Sequence, residues 1–284
     1  MNQCRTIPAV ILMALSLLDF ASSAQARRAI PEDNLSYPIR ITHSDGSASG
    51  FYLNTEKYTY LITAGHVLSS IRKTANLISY ASGQNKRTII EIDIVALTAA
   101  KEIRIHKNKD VAMIRIAKKS KEGKLRVSKG VVIQESSGLI LGVNYPVSIK
   151  TYDKVIVGND VYIFGYPSSI GIKEIPQFDY ESPLLRKGII AGKDTSESTI
   201  IIDCPTYYGN SGGPVVEIEE KGLGKNFMIV GVVSEFIPFK EDWINVTHRY
   251  KQMSISNSGY SVVVPMDAVI ELLHEFPDEG ESKN

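Results

Sequence analysis

Cysteine is almost absent from this 284-residue chain, which holds only Cys4 and Cys204. Cys4 lies in an N-terminal stretch read below as removable, so the folded product keeps one thiol and no intramolecular disulfide. Its stability has to come from packing. An excess of charge of either sign is missing too: Lys and Arg total 32 against 31 for Asp and Glu, a net charge of +1. No long-range field selects nucleic acid or an anionic membrane as a partner. The five histidines are scattered and none forms a His-x-x-x-His pair, so no metal site is expected, and no cofactor. Internal repeats are lacking, and the apolar run at 7–18 stops at Asp19, short of the roughly 20 residues that span a bilayer. What remains is the composition of a compact globular protein, 43% hydrophobic and 22% charged.

The run at 7–18 follows a short n-region carrying Arg5 and precedes Ala24-Gln25-Ala26 and Arg27-Arg28. That order reads as an export signal over 1–26, with a mature chain starting at Arg27 in the periplasm or outside the cell and no stable membrane anchor after cleavage. Cys4 precedes the apolar run, which argues against lipoprotein attachment. Cys204 is expected to be buried and inert.

Past the signal, short segments rich in Val, Ile, Tyr and Thr alternate with Gly, Asn, Asp, Ser and Lys clusters. Strands are expected at 50–53, 58–63, 88–96, 111–116, 160–164, 188–191, 199–202, 213–217, 227–234 and 260–264, the spacing of an all-β barrel or sandwich. Helix is scarce: one or two turns at 66–72, and an amphipathic segment at 266–276 whose apolar face is Val269, Ile270, Leu272 and Leu273. The lysine-rich stretch 118–129 reads as an exposed connection, 243–259 as a polar surface loop, and 277–284 as a frayed tail. A boundary near 145–153 divides the strands into an N-terminal half at 27–148 and a C-terminal half at 149–276.

The chemistry concentrates in Tyr207-Tyr208-Gly209-Asn210-Ser211-Gly212-Gly213-Pro214. Glycines on both sides let a tight turn expose the Ser211 hydroxyl while the N–H groups of Gly209 and Ser211 converge on one point. A serine hydroxyl needs a base and a carboxylate to orient that base. His66 ends the apolar strand Leu61-Ile62-Thr63-Ala64-Gly65, whereas His43, His106, His248 and His274 have no comparable setting and read as surface residues. Asp110 opens the alternating strand Asp110-Val111-Ala112-Met113-Ile114. The order His66, Asp110, Ser211, with gaps of 44 and 101 positions, lies close to the gaps of about 45 and 93 in the serine-protease arrangement.

Thr63-Ala64-Gly65-His66, Asp110-Val111-Ala112 and Gly209-Asn210-Ser211-Gly212-Gly213-Pro214 resemble the three motifs of the trypsin-like (chymotrypsin superfamily) serine peptidases. The resemblance is particularly to bacterial members such as the HtrA protease domain, and Phe164-Gly165-Tyr166-Pro167 is similar to a further segment of that group. The resemblance implies two perpendicular six-stranded antiparallel β-barrels with a short C-terminal helix, His66 and Asp110 on the first barrel and Ser211 on the second. It implies a serine endopeptidase acting on polypeptides through an acyl-enzyme, with Gly209 and Ser211 as the oxyanion hole. By the same resemblance, Pro205, Tyr207, Tyr208, Ser234, Glu235, Phe236 and the segment 259–261 border the primary pocket. The chain departs from the family in two ways. Asn210 stands where digestive members carry an aspartate that pairs with a new amino terminus, so that activation is not expected. HtrA proteins carry a C-terminal peptide-binding domain, and this chain ends soon after its helix. Two other classes stay open: a catalytically silent or latent binding protein on the same fold, and an esterase, which the scarcity of helix argues against in its α/β-hydrolase form.

Overall fold

The structure, a computed structural model, describes residues 30, 32–81, 86–120, 124–136, 141–168, 182–221, 224–245 and 247–277; the expected export segment and nearly all of the tail lie outside them. From Leu35 onward the chain forms one compact unit, built on two curled sheets.

The first sheet is made of short strands. In chain order these are β1 (Pro38–His43), β2 (Gly46–Asn54), β3 (Tyr58–Thr63), the helix α1 (Gly65–Ser70), β4 (Thr74–Ala81), β5 (Lys86–Asp93), the helix α2 (Ile94–Ala99), β6 (Ile103–Ile105), β7 (Ala112–Lys119), β8 (Leu125–Val127), β9 (Val131–Glu135) and β10 (Val143–Asn144). They bond in the order β6-β7-β3-β2-β1-β4-β5-β9, with β8 on β7 and β10 parallel to β2. Every residue of β3 is buried, which is why it reads as the continuous run Tyr-Thr-Tyr-Leu-Ile-Thr and not as an alternation. Ile39, Ile41, Tyr52, Leu61, Leu77, Ile90 and Ile114 fill the core beneath it.

The second sheet comprises β11 (Asp160–Gly165), β12 (Leu184–Asp194), β13 (Thr199–Asp203), β14 (Pro214–Lys221), β15 (Gly224–Asn245) and β16 (Tyr250–Pro265), closed in the ring β11-β12-β13-β16-β15-β14. Val161, Ile163, Ile190, Ile202, Val215, Val230 and Val263 pack its interior. The helix α3 (Met266–His274) follows, with Met266, Val269, Leu272 and Leu273 buried. Just past it, Phe276 is fully buried against Tyr60 of the first sheet and under the guanidinium groups of Arg104 and Arg115. Backbone bonding passes from the first sheet to the barrel over a few residues: Tyr145 N–H still donates to Asn54, while Ile149 bridges to Ile229. Lys150 fastens that crossing, its buried ammonium 2.8 Å from the fully buried Glu217 carboxylate and also paired with Glu219.

The architecture is the all-β, helix-poor fold expected, with, among the described residues, the closed six-strand ring in the C-terminal half and ten hydrogen-bonded strands in the N-terminal half. Three local expectations need correction. The run 88–96 does not continue as strand, because the Asp93 carboxylate accepts from Ala96 N–H at 3.0 Å and caps α2. The stretch 118–129 is not wholly a connection, since β8 lies within it. The largest correction concerns 243–259: β15 and β16 run through most of it as a long hairpin, whose described side chains are mostly exposed on both faces.

Candidate active site

Strand register delivers the site. In the β3–β7 ladder Thr63 faces Ala112, so the residues just past the end of β3 and just before the start of β7 emerge side by side. These are His66, on the first turn of α1, and Asp110. Asp110 holds His66 twice: one carboxylate oxygen accepts the His66 backbone N–H at 2.8 Å, and the other lies 2.7 Å from ring Nδ1. This contact requires Nδ1 to carry the proton, leaving Nε2 free to act as a base. The barrel repeats the device. Pro214 at the head of β14 faces Val232 of β15, so Ser211 before β14 and Ser234 beyond Val232 reach the same end. Ser234 Oγ donates to Asp110 at 2.7 Å, which orients the carboxylate from the opposite sheet.

Ser211 sits in a turn built by its neighbours. Asn210 N–H donates to Tyr207, Gly213 N–H to Asn210, and Gly212 N–H to Val233. Gly209 and Gly212 have φ near +94° and +87°, and a Cβ on either would come within 2.3 Å of Tyr166 O or 2.2 Å of Ser49 O. Only glycine meets both the dihedral and the space. Among the described residues no acceptor meets the N–H of Gly209 or of Ser211, the pair expected to hold an oxyanion. Asn210, buried, accepts from Tyr207 N–H through its side chain at 3.2 Å and so braces its own turn.

His66, Asp110 and Ser211 line one cleft of about 570 Å³ together with Thr206, Tyr207, Tyr208, Ser234, Glu235, Phe236 and Pro238. The described hydrogen bonds include none between Ser211 and His66, which are brought together as walls of that cleft. Pro205 does not line it. Thr206 does, held from behind by Ser261 at 2.9 Å, and Tyr208 packs edge-on to Phe236 at the rim. Arg186 lies over the Tyr207 ring.

Hydrogen bonding to Asp110 is the main cause that raises the His66 pKa above its ordinary 6.5, and the nearby charges of Asp110 and Glu235 add to it against the lowering effect of burial. For Asp110, burial works upward, but the bonds from the His66 ring, Ser234 and the His66 N–H outweigh it and hold the carboxyl at about 2. The pair is therefore an ionised acid beside a basic imidazole. Cys204, seven residues from Ser211, is buried with its pKa pushed up to about 11 by that burial, the opposite of a nucleophilic thiol.

Sequence reasoning missed Ser49. Its hydroxyl donates to Gly209 O at 2.6 Å and accepts from Tyr166 N–H at 2.9 Å, while its own N–H donates to Ser211 O. Thr63 Oγ1 in turn donates to Ser49 O at 2.8 Å. Nothing in Ser47-Ala48-Ser49 signals this role, because the partner Gly209 is 160 positions away. Thr63 belonged to a recognised motif, and Phe164-Gly165-Tyr166-Pro167 proves to supply the floor of the Ser211 turn.

A family model for the trypsin-like peptidase domain matches residues 48–224. The chain belongs to that family. Its fold is that of a trypsin-like serine protease. No curated protein matches the chain in sequence. Among solved structures, an HtrA-type protease, AlgW with a tripeptide, is 15% identical with a TM-score of 0.47 over 87% of this chain. The present chain spans 62% of AlgW's length. A thermostable serine protease, AL20, from an extremophilic microorganism is 13% identical, with a TM-score of 0.49 over 89% of this trypsin-like chain and 100% of AL20. Among the described residues no helix is long and apolar enough to cross a membrane, and no group of three or more His, Cys, Asp or Glu is placed to hold a metal ion.

Proposed function

We propose that this chain is a serine endopeptidase that cleaves polypeptides through an acyl-enzyme. The observation that carries the reading is Asp110 bonded twice to His66 and once to Ser234, in the cleft that Ser211 lines. His66 Nε2 takes the Ser211 proton as the hydroxyl attacks the scissile carbonyl. Asp110 stabilises the imidazolium that results, and the N–H groups of Gly209 and Ser211 receive the oxyanion. His66 then gives its proton to the leaving amine, and water repeats the sequence on the ester. Thr206, Tyr207, Tyr208, Glu235 and Phe236 form the surroundings of the residue before the cut. Asn210 completes its turn without a charged partner, so activity does not depend on a new amino terminus. We read the enzyme as exported, with the mature chain beginning at Arg27.

A fluorophosphonate probe tests the reading. The wild-type protein takes up label, with the mass shift mapping to Ser211, and Ser211→Ala and His66→Ala do not. Folded wild-type protein that stays unlabelled overturns the peptidase and points to a binding protein on this scaffold.

A further inference from the structure

The cleft wall on β15 does not end at the cleft. Ser234, Glu235, Phe236 and Pro238 line the pocket, and the same strand continues to Asn245 before turning back as β16 from Tyr250. The two strands stay paired to the tip, from Pro238 opposite Asn257 to Asn245 opposite Tyr250. Among the described residues neither has another strand beside it there: β14 accompanies β15 only as far as Val232, and β13 reaches β16 only at Tyr260. β15 from Ser234 to Asn245 thus has, among the described residues, no strand on its outer edge, which leaves a row of backbone donors and acceptors broken at Ile237, whose O accepts from Ser258 Oγ at 2.6 Å, and at Pro238, which has no N–H.

Side chains make this arm unlike an ordinary surface hairpin. Phe239 and Trp243 share one face with Tyr250, and Ile244, Met253 and Ile255 share the other. All six are at least half exposed, Trp243 at 61% and Ile244 at 70%. Lys240, Glu241 and Asp242 keep the edge charged in its middle, with Asp242 paired to Lys251 at 2.7 Å, yet six large apolar side chains left in solvent on one hairpin are a concentration that natural surfaces avoid unless something packs on them.

We infer that the occupant is the substrate itself: the N-terminal side of an extended, unfolded polypeptide adds as a third strand to the β15 edge, far beyond the residues flanking the scissile bond. The inference rests on the peptidase reading. Chemistry sets the direction, because the leaving amine must face His66 from the first sheet. That requirement leaves the acyl half of the substrate against the walls supplied by the barrel, Thr206 to Tyr208 on one side and β15 on the other. A chain following β15 from Pro238 to Asn245 runs alongside roughly eight more residues, about 27 Å at 3.4 Å per residue. Main-chain bonds supply strand-addition affinity with little sequence demand, and the aromatic and aliphatic side chains favour apolar stretches of the kind that folded proteins bury. A register shift interrupts the β15–β16 ladder between Phe236 and Pro238, at the point where the strand leaves the cleft wall.

The test uses two peptides with the same scissile sequence and four or twelve residues upstream of it. On the wild-type protein the longer peptide is cleaved with kcat/KM at least about tenfold higher, and extension downstream has no such effect. In Phe239→Ala/Trp243→Ala, and in a variant with residues 240–255 replaced by a short Gly-Asn turn, the ratio of long to short collapses toward one. Trp243 is the only tryptophan, so adding the long peptide to Ser211→Ala shifts the intrinsic emission while the short one does not. Equal rates for both peptides on protein that labels at Ser211 overturn the inference and leave the peptidase standing, and so does a length effect that survives loss of the arm. If no label appears, the emission titration still decides: a shift with the long peptide keeps the arm as a peptide-binding edge, and no shift removes it. Concentration-dependent emission together with a dimer in sedimentation, abolished in the arm variants, assigns the edge to a second copy and overturns the substrate.

Discussion

The two sheets hold reciprocal parts of the proposed catalytic site. The first carries His66 and Asp110, yet Asp110 is oriented by Ser234 from the barrel. The barrel carries the Ser211 turn, yet that turn rests on Ser49 and Thr63 from the first sheet. They differ in how they reach the cleft. The first sheet ends there with short, buried strands, whereas the barrel sends β15 through the cleft wall and out into solvent. An active site divided in this way exists only when both sheets are docked, so variants that loosen the docking should act on catalysis from outside the reacting atoms.

The sharpest way to break the symmetry is Asp110→Asn, which leaves the His66 contact in place but reverses the donor on Nδ1. The expected loss in kcat is on the order of 10⁴-fold with little change in KM, read from steady-state kinetics on a fluorogenic peptide. Next is Lys150→Ala at the crossing between the sheets. Removing the ammonium strands the buried Glu217 carboxylate, a cost of about 3–5 kcal/mol in urea unfolding. Lys150→Met, with Glu217→Gln and Glu219→Gln, should recover most of it.

Ser49→Ala separates docking from chemistry. It leaves Gly209 O and Tyr166 N–H, both buried, without their partner, and should cost about 1–3 kcal/mol. It should also slow labelling of Ser211 at a temperature where the variant is still folded. Labelling at the wild-type rate would mean that the turn does not need its brace from the first sheet.

The smallest effect is electrostatic. His66 must be neutral to act, and its pKa is raised, so activity should rise with pH through a midpoint above 6.5. Glu235→Gln removes one of the charges that raise it and should move that midpoint down in the pH profile of kcat/KM. The same pair affects stability with the opposite sense. A raised His66 pKa stabilises the fold fully below 6.5 and is lost as pH climbs through the raised value, while Asp110, held at about 2 against an ordinary 3.8, contributes above 3.8 and is lost as pH falls through 2. The pair's stabilisation is therefore greatest between about 4 and 6.5, below the pH at which His66 is an effective base.

Residue order alone was enough to determine the β class, the helix at the C-terminus, and the three segments bearing His66, Asp110 and Ser211. Each rests on local information: a period of two, an amphipathic stripe, glycines around a serine, an imidazole at a strand end. The end of β5 was also locally coded, in the Asp93 cap, but an alternating run of isoleucines continued past it and masked the signal. Tertiary structure alone decided the rest. Ser49 became a brace and Ser234 an anchor for Asp110 because their partners lie 160 and 124 positions away, a distance at which no motif carries information. The hairpin beyond Pro238 is illegible because alternation marks a strand only where one face is buried, and the described residues of β15 and β16 bury neither face there; cross-strand pairing keeps them extended, and only the folded chain brings that pairing to the edge of the cleft.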